Sequence, residues 1–153
     1  MDGSSRTSTT DTCISRPPAD SRKGLEIAEN PHLSAHFHWP SVGRQVRIVG
    51  TAVDRGRAAS EGDFAERGHG SRLAAHLHRP GPLADWQDVP AEFERLGAAH
   101  PDEVPCPPSW TLYAITPTEV EFWQASIDLV HYRVLYRRDE AGQSAWRHGL
   151  LWP

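Results

Sequence analysis

The chain has 153 residues, 38% hydrophobic and 24% charged, with a formal net charge of −4. That length is enough for one domain with a real core, and the acidic balance with no basic run argues against a nucleic-acid or acidic-membrane partner. Residues 1–20 hold no apolar signal segment and no stretch nears the ~20 apolar residues that cross a bilayer, so the sequence reads as soluble and cytoplasmic.

The first twenty residues, rich in Ser, Thr and Asp and ending in Pro17-Pro18, cannot bury enough apolar surface to offset their ordering entropy. They are expected to form a flexible arm. "SRKGLEIAEN" predicts a short helix capped by Asp20 or Ser21 and stopped at Asn30-Pro31. "HLSAHFHW" alternates, with Leu33, Ala35, Phe37 and Trp39 on the apolar face and Ser34, His36 and His38 opposite. "RQVRIVGTAV" alternates again, turning Val46, Ile48 and Ala52 inward and Gln45, Arg47 and Thr51 outward, with Gly50 as a candidate bulge. Together they predict an antiparallel hairpin.

From Ser60 the period changes. "SEGD" resembles a capping box that opens a helix closed by Gly68, "SRLAAHLHR" predicts a second helix stopped by Pro80, and "DVPAEFERLGAAH" a third with Asp88 as cap. Four strand-like runs follow: "WTLYAIT", "EVEFWQ", "LVHYRVLYRR" and "AWRHGLLWP". In the third, Val130, Tyr132, Val134 and Tyr136 share one face and Leu129, His131, Arg133 and Arg137 the other. That places a histidine and an arginine about 7 Å apart on one side of a strand. Strands, then helices, then strands, without βαβ alternation, predict an α+β domain built on an antiparallel sheet or barrel.

Cys13 and Cys106 stand far apart and away from any metal-ligand spacing, which predicts ordinary thiols. His36 with His38 would share a strand face, but no supporting carboxylate or thiol lies near, and His76 and His78 diverge on a helix; no metal site is expected. Ser71, Ser109 and Ser126 lack His and Asp partners at a recognisable spacing, so no hydrolase triad is read.

The order of "SRKG", "NPH" before "FHWP", "RQVRI.G", "EFWQ" and the terminal "LWP" resembles the pyridoxamine 5′-phosphate oxidase family, including its relatives in phenazine biosynthesis. The likeness covers residues 21–153. It implies a split β-barrel that dimerises around FMN, with 21–153 as a single domain. By position, Arg22 and Lys23 match the pair that holds the flavin phosphate, and Lys23 is the only lysine among 16 basic residues. Gln45, Trp123 and Arg133 match residues that contact the flavin. Phe64, Arg67, Ser71, Leu129 and His131 fall at substrate-facing positions, and His131 is the candidate for proton transfer.

Three departures accompany the likeness. The family has a substantial N-terminal half-barrel where this sequence has its polar arm, so a shortened member is expected. Leu129 stands where the family has a substrate-facing arginine, and "HLHRPG" replaces a Gln-Ser pair at the flavin phosphate. The implied reaction is FMN-dependent oxidation of a small, cyclic, nitrogen-containing metabolite, in the manner of natural-product tailoring. The alternative is a flavin-free binding or partner protein, or a cofactor-independent enzyme using the His131 cleft.

Overall fold

The computed structural model describes residues 13–79, 81–139 and 145–153. In chain order these form β1 (Cys13–Ser15), α1 (Arg22–Glu29), β2 (His32–Trp39), a 3-10 turn at Pro40–Val42, β3 (Arg44–Asp54), α2 (Arg57–Ala65), α3 (His69–Ala75), α4 (Asp88–Ala99), β4 (Tyr113–Gln124), β5 (Tyr132–Arg138) and β6 (Trp146–Leu151). The sheet runs β2-β3-β4-β5-β6, with β1 paired to β4. The expected α+β class with antiparallel pairing is observed. The expected arm overlaps β1, and Pro18 forms an isolated bridge with Trp110; the arm's first twelve residues and Pro80, the expected helix stop, lie outside the described residues.

Two compact units divide the chain: one takes Cys13, Asn30–Val53 and Ile115–Pro153, the other Ile14–Glu29 and Asp54–Ala114. In the sheet unit, β2 and β3 pair antiparallel from His32↔Thr51 to Trp39↔Arg44, and β4, β5 and β6 form a meander in which Trp123 faces Arg133 and Arg133 faces Leu151. The tip of the β2-β3 hairpin closes at Gly43 with φ +59, a conformation open to glycine at little cost. Gln124 ties that tip down: its amide oxygen accepts Arg44 Nε at 2.7 Å, and the Ala125 N–H donates to Gly43 O at 2.8 Å.

Two expectations change here. Gly50 is no bulge, because the register passes through Gly50↔Leu33 without an extra residue. A Cβ at Gly50 would sit 2.3 Å from Thr116 O, so the glycine is required for close approach of two backbones. "WTLYAIT" and "EVEFWQ" are also one strand, since β4 runs unbroken through Pro117. Proline would normally demote a central strand, and here it lies beside the side-chain-free Gly50.

The helical unit holds an apolar core of Phe64, Leu73, Leu96, Val104 and Trp110. The Phe64 ring meets Trp110 edge-on at 5.4 Å. Helices α3 and α4 pack closely, with Leu73 Cδ1 3.7 Å from where a Cβ on Gly97 would stand. Ser21 caps α1 by accepting the Gly24 N–H at 3.1 Å, as expected. A Cβ at Gly24 would meet Pro18 O at 2.3 Å, which makes the glycine of "SRKG" a packing requirement. Ser60 does not open a helix. It lies within α2, buried, donating to Gly56 O at 2.9 Å and accepting the Leu112 N–H at 3.0 Å.

Candidate functional site

The alternation of the sheet unit gives it two unlike faces. On one lie Phe37, Trp39, Val46, Phe122 and Val134. Of the expected inward residues of β2, Leu33 and Ala35 are half-buried, whereas Phe37 and Trp39 are exposed. The other face is polar, and it holds a groove of about 400 Å³ lined by His36, Gln45, Arg47, Glu121, Trp123 and Arg133, with Pro153 at its edge.

The organising group of this groove is Glu121, only 7% exposed. Its Oε2 accepts Arg47 NH2 at 2.8 Å and Nε at 3.2 Å, while Oε1 accepts Arg133 Nε at 2.7 Å. Burial alone would push its carboxyl up. The hydrogen bonds and charges of the two arginines outweigh that and hold it below the usual carboxylate value. Arg133 is further fixed by donating NH1 to Trp152 O at 3.0 Å. One buried anion between two cations is a rigid arrangement that fixes both guanidinium planes.

Gln45 is oriented from the neighbouring strand, His36 Nε2 lying 2.9 Å from its Oε1. With His36 as donor, the Gln45 amide nitrogen is left to face the groove. At the head of β5, the His131 ring packs on Trp123 with centroids 4.8 Å apart, and its Nδ1 accepts the Ser126 N–H at 3.3 Å. In the neutral ring that leaves the proton on Nε2. His131 precedes the strand rather than standing on it. Leu129 sits in the adjoining turn at φ +64, 77% exposed, in a left-handed conformation uncommon for a non-glycine residue. The turn is pinned by Asp128, which accepts from Ser126 Oγ and from the Val130 N–H; those bonds hold its carboxyl below the usual range.

The remaining sequence-derived candidates belong to the helical unit. Arg67 donates NH1 to Ser71 Oγ at 2.9 Å, and its guanidinium lies 4.7 Å over the Trp110 ring. Phe64, 2% exposed, has its ring committed to the core against Trp110. Arg22 and Lys23 occupy the first turn of α1, both exposed. Arg22 pairs with Glu26 at 2.8 Å, and the Lys23 ammonium has no partner among the described residues. Burial pushes the Cys106 thiol up, away from thiolate chemistry. Among the described residues no cluster of three or more His, Cys, Asp or Glu is placed to hold a metal ion, and no helix is long and apolar enough to cross a membrane.

Gln45, Trp123 and Arg133, at flavin-contacting positions by resemblance, come together in one groove, where Glu121, Arg47 and His36 join them without a role expected from the sequence. The signal was present: "EFW" puts Glu121 on the same strand face as Trp123, and "RQVR" puts Arg47 beside Gln45, so a carboxylate and two arginines share a face.

This architecture is that of the FMN-binding split barrels. It superimposes with a TM-score of 0.80 on PhzG from Burkholderia lata in complex with tetrahydrophenazine-1-carboxylic acid, at 29% identity, covering 94% of this chain and 69% of that one. A pyridoxamine 5′-phosphate oxidase-related, FMN-binding protein from Nostoc punctiforme shares the fold with a TM-score of 0.76 at 19% identity, covering 95% and 75%. Residues 110–153 match the pyridoxine 5′-phosphate oxidase C-terminal dimerisation region. The chain is 39% identical over 136 residues to the pyridoxine/pyridoxamine 5′-phosphate oxidase of Granulibacter bethesdensis, covering 88% of this chain and 62% of the relative. For the enzyme of the same name from Novosphingobium aromaticivorans the figures are 40% over 135 residues, 87% and 66%. The chain is similar to the pyridoxine/pyridoxamine 5′-phosphate oxidases along most of its own length, and it spans somewhat under two thirds of the length of the curated relatives it matches.

Proposed function

We propose that the protein is an FMN-dependent oxidase, working as a homodimer, that acts on a small cyclic nitrogen-containing metabolite. The observation that carries this reading is the convergence of Gln45, Trp123 and Arg133 on one groove whose cations are braced by a buried carboxylate. The donor set suits a flavin: an indole face, an amide N–H and the fixed guanidinium of Arg133 match a flat ring with acceptor edges. Relatives named for the oxidation of pyridoxine and pyridoxamine phosphates, and PhzG with its bound tetrahydrophenazine acid, point to the substrate class and to a natural-product tailoring role. The match of residues 110–153 to a dimerisation region supports the homodimer.

In this reading Gln45 donates to the ring edge, Trp123 covers its flank and Arg133 supplies positive charge. Arg22 and Lys23 hold the phosphate, for which a guanidinium fork and an ammonium are the natural donors. When bound, the flavin takes two electrons from the substrate and is reoxidised by oxygen. His131, its Nδ1 occupied by the Ser126 N–H, offers Nε2 for proton transfer. Arg67, Ser71 and Leu129 orient the substrate, and Phe64 packs edge-on against the Trp110 ring over which Arg67 lies.

The test is an FMN titration of the purified protein followed by quenching of flavin fluorescence. Saturable binding at one flavin per chain is expected, and Arg22→Ala with Lys23→Ala should weaken it by about tenfold or more, the scale of ~1.4 kcal/mol or above. Unchanged affinity in the double variant would remove the phosphate assignment. A wild-type protein that ignores FMN would shift the reading to a flavin-free binding or partner role.

A further inference from the structure

Two hydrogen-bond donors on the polar groove are left without partners among the described residues. One is the Gln45 amide nitrogen, whose oxygen faces His36. The other is Arg47 NH1: Glu121 engages the Nε and NH2 edge of that guanidinium and leaves the far side open, in a side chain 41% exposed. The two residues stand at i and i+2 on the same face of β3, about 7 Å apart at the backbone. The Trp123 ring lines the same groove.

We propose that Arg47 is a ligand-binding residue of this groove, and that the ligand edge it meets is a carbonyl-rich or anionic edge of a planar heterocycle lying along Trp123. The inference rests on the flavin reading above and deepens it, because that reading uses Gln45, Trp123 and Arg133 but gives Arg47 no role. Three features support the assignment. Glu121 neutralises one of the two arginines it touches, so the Arg47–Glu121–Arg133 group keeps a net positive charge. Two donors on one edge of Arg47 converge on Glu121 Oε2 and fix the plane of the guanidinium, so its open edge has a set direction before any ligand arrives. A donor pair at that spacing beside an indole suits an extended ring with acceptors along one side better than a compact anion. The edge could belong to the flavin or to an aromatic carboxylate substrate, and the choice of probes separates the two.

The experiment titrates wild type, Arg47→Met and Arg47→Lys with FMN, riboflavin and quinoline-2-carboxylate, using flavin quenching for the first two and calorimetry for the third. Arg47→Lys keeps a second cation beside Glu121, so a loss of binding in it cannot be assigned to unfolding caused by a buried carboxylate left with Arg133 alone. If Arg47 faces the flavin ring, Arg47→Met weakens FMN and riboflavin by the same factor of about tenfold, and Arg47→Lys weakens both by a smaller factor. The Arg22 and Lys23 double variant, by contrast, weakens FMN alone. Wild-type binding of the carboxylate, lost in Arg47→Met without change for riboflavin, assigns Arg47 to substrate and keeps the proposal. Flavin affinities and carboxylate binding unchanged in Arg47→Met overturn it while leaving the flavin reading standing. Carboxylate binding that depends on Arg47, in a protein that takes no flavin, keeps the proposal and removes the flavin reading. A wild-type protein that binds none of the three overturns both.

Discussion

The core of the helical unit and the polar face of the sheet unit bury opposite chemistries. The helical unit is held by apolar packing, with Phe64, Leu73 and Trp110 each under a tenth exposed. The polar face of the sheet unit buries a charge, Glu121, and holds it with two arginines. Apolar burial is worth about 25 cal/mol per Å² and has no direction. A buried ion triad adds little net stability, since desolvation offsets most of its Coulomb gain, but it fixes the orientation of every group in it. The contrast separates residues that keep the protein folded from residues that keep a groove in shape.

The largest expected effect lies on the packing side. Phe64→Ala removes a ring at 2% exposure that touches Trp110 and should cost ~3–5 kcal/mol in chemical denaturation. A loss under ~1 kcal/mol would mean that the helical core does not depend on this ring, and the contrast between the units would weaken. Glu121→Gln should come next. It keeps the shape, removes the charge and leaves two arginines facing an amide. The expected loss is about 2 kcal/mol, below the ~3–5 of a fully buried pair because Arg47 is partly screened by water.

The same variant has a pH signature of definite sign. The folded Glu121 carboxyl titrates below its ordinary 4.5, so its contribution is whole above that value and disappears as pH falls through the lowered folded value. Wild type should therefore lose stability on the acid side more steeply than Glu121→Gln. Parallel acid limbs in the two proteins would show that the carboxylate is not held ionised by its arginines.

Much of this contrast was legible in the sequence, and the missing parts have physical causes. Period-two alternation assigned the faces of β2, β3 and β5, and the turn from the sheet to the helices showed as a change of period at Ser60. Three things did not show. "WTLYAIT" and "EVEFWQ" read as separate runs because the feature that accommodates Pro117 between them, a glycine on another strand, lies far away in sequence. Ser60 read as a cap because its local pattern fits one, whereas its hydroxyl binds the distant Leu112 N–H. Glu121 carries no reading in the sequence because a buried carboxylate is recognised only by its partners, and Arg47 lies 74 residues away.

The smallest effect tests where the sheet unit carries strain. Leu129 holds φ +64 at the turn beside His131 while exposing 77% of its surface, so it gives up backbone energy without gaining burial. A left-handed conformation costs a non-glycine residue ~1–2 kcal/mol, and a glycine returns ~0.5–1 of that through the entropy of the unfolded chain. Leu129→Gly should therefore stabilise the protein by about 0.5–1 kcal/mol. Strain retained at an exposed position beside a groove is a sign of use, and in the proposed reading the leucine meets the substrate. The stabilised variant should then show a raised KM with flavin affinity unchanged. If KM stays fixed while stability rises, Leu129 is a turn residue alone and the substrate assignment at that position fails.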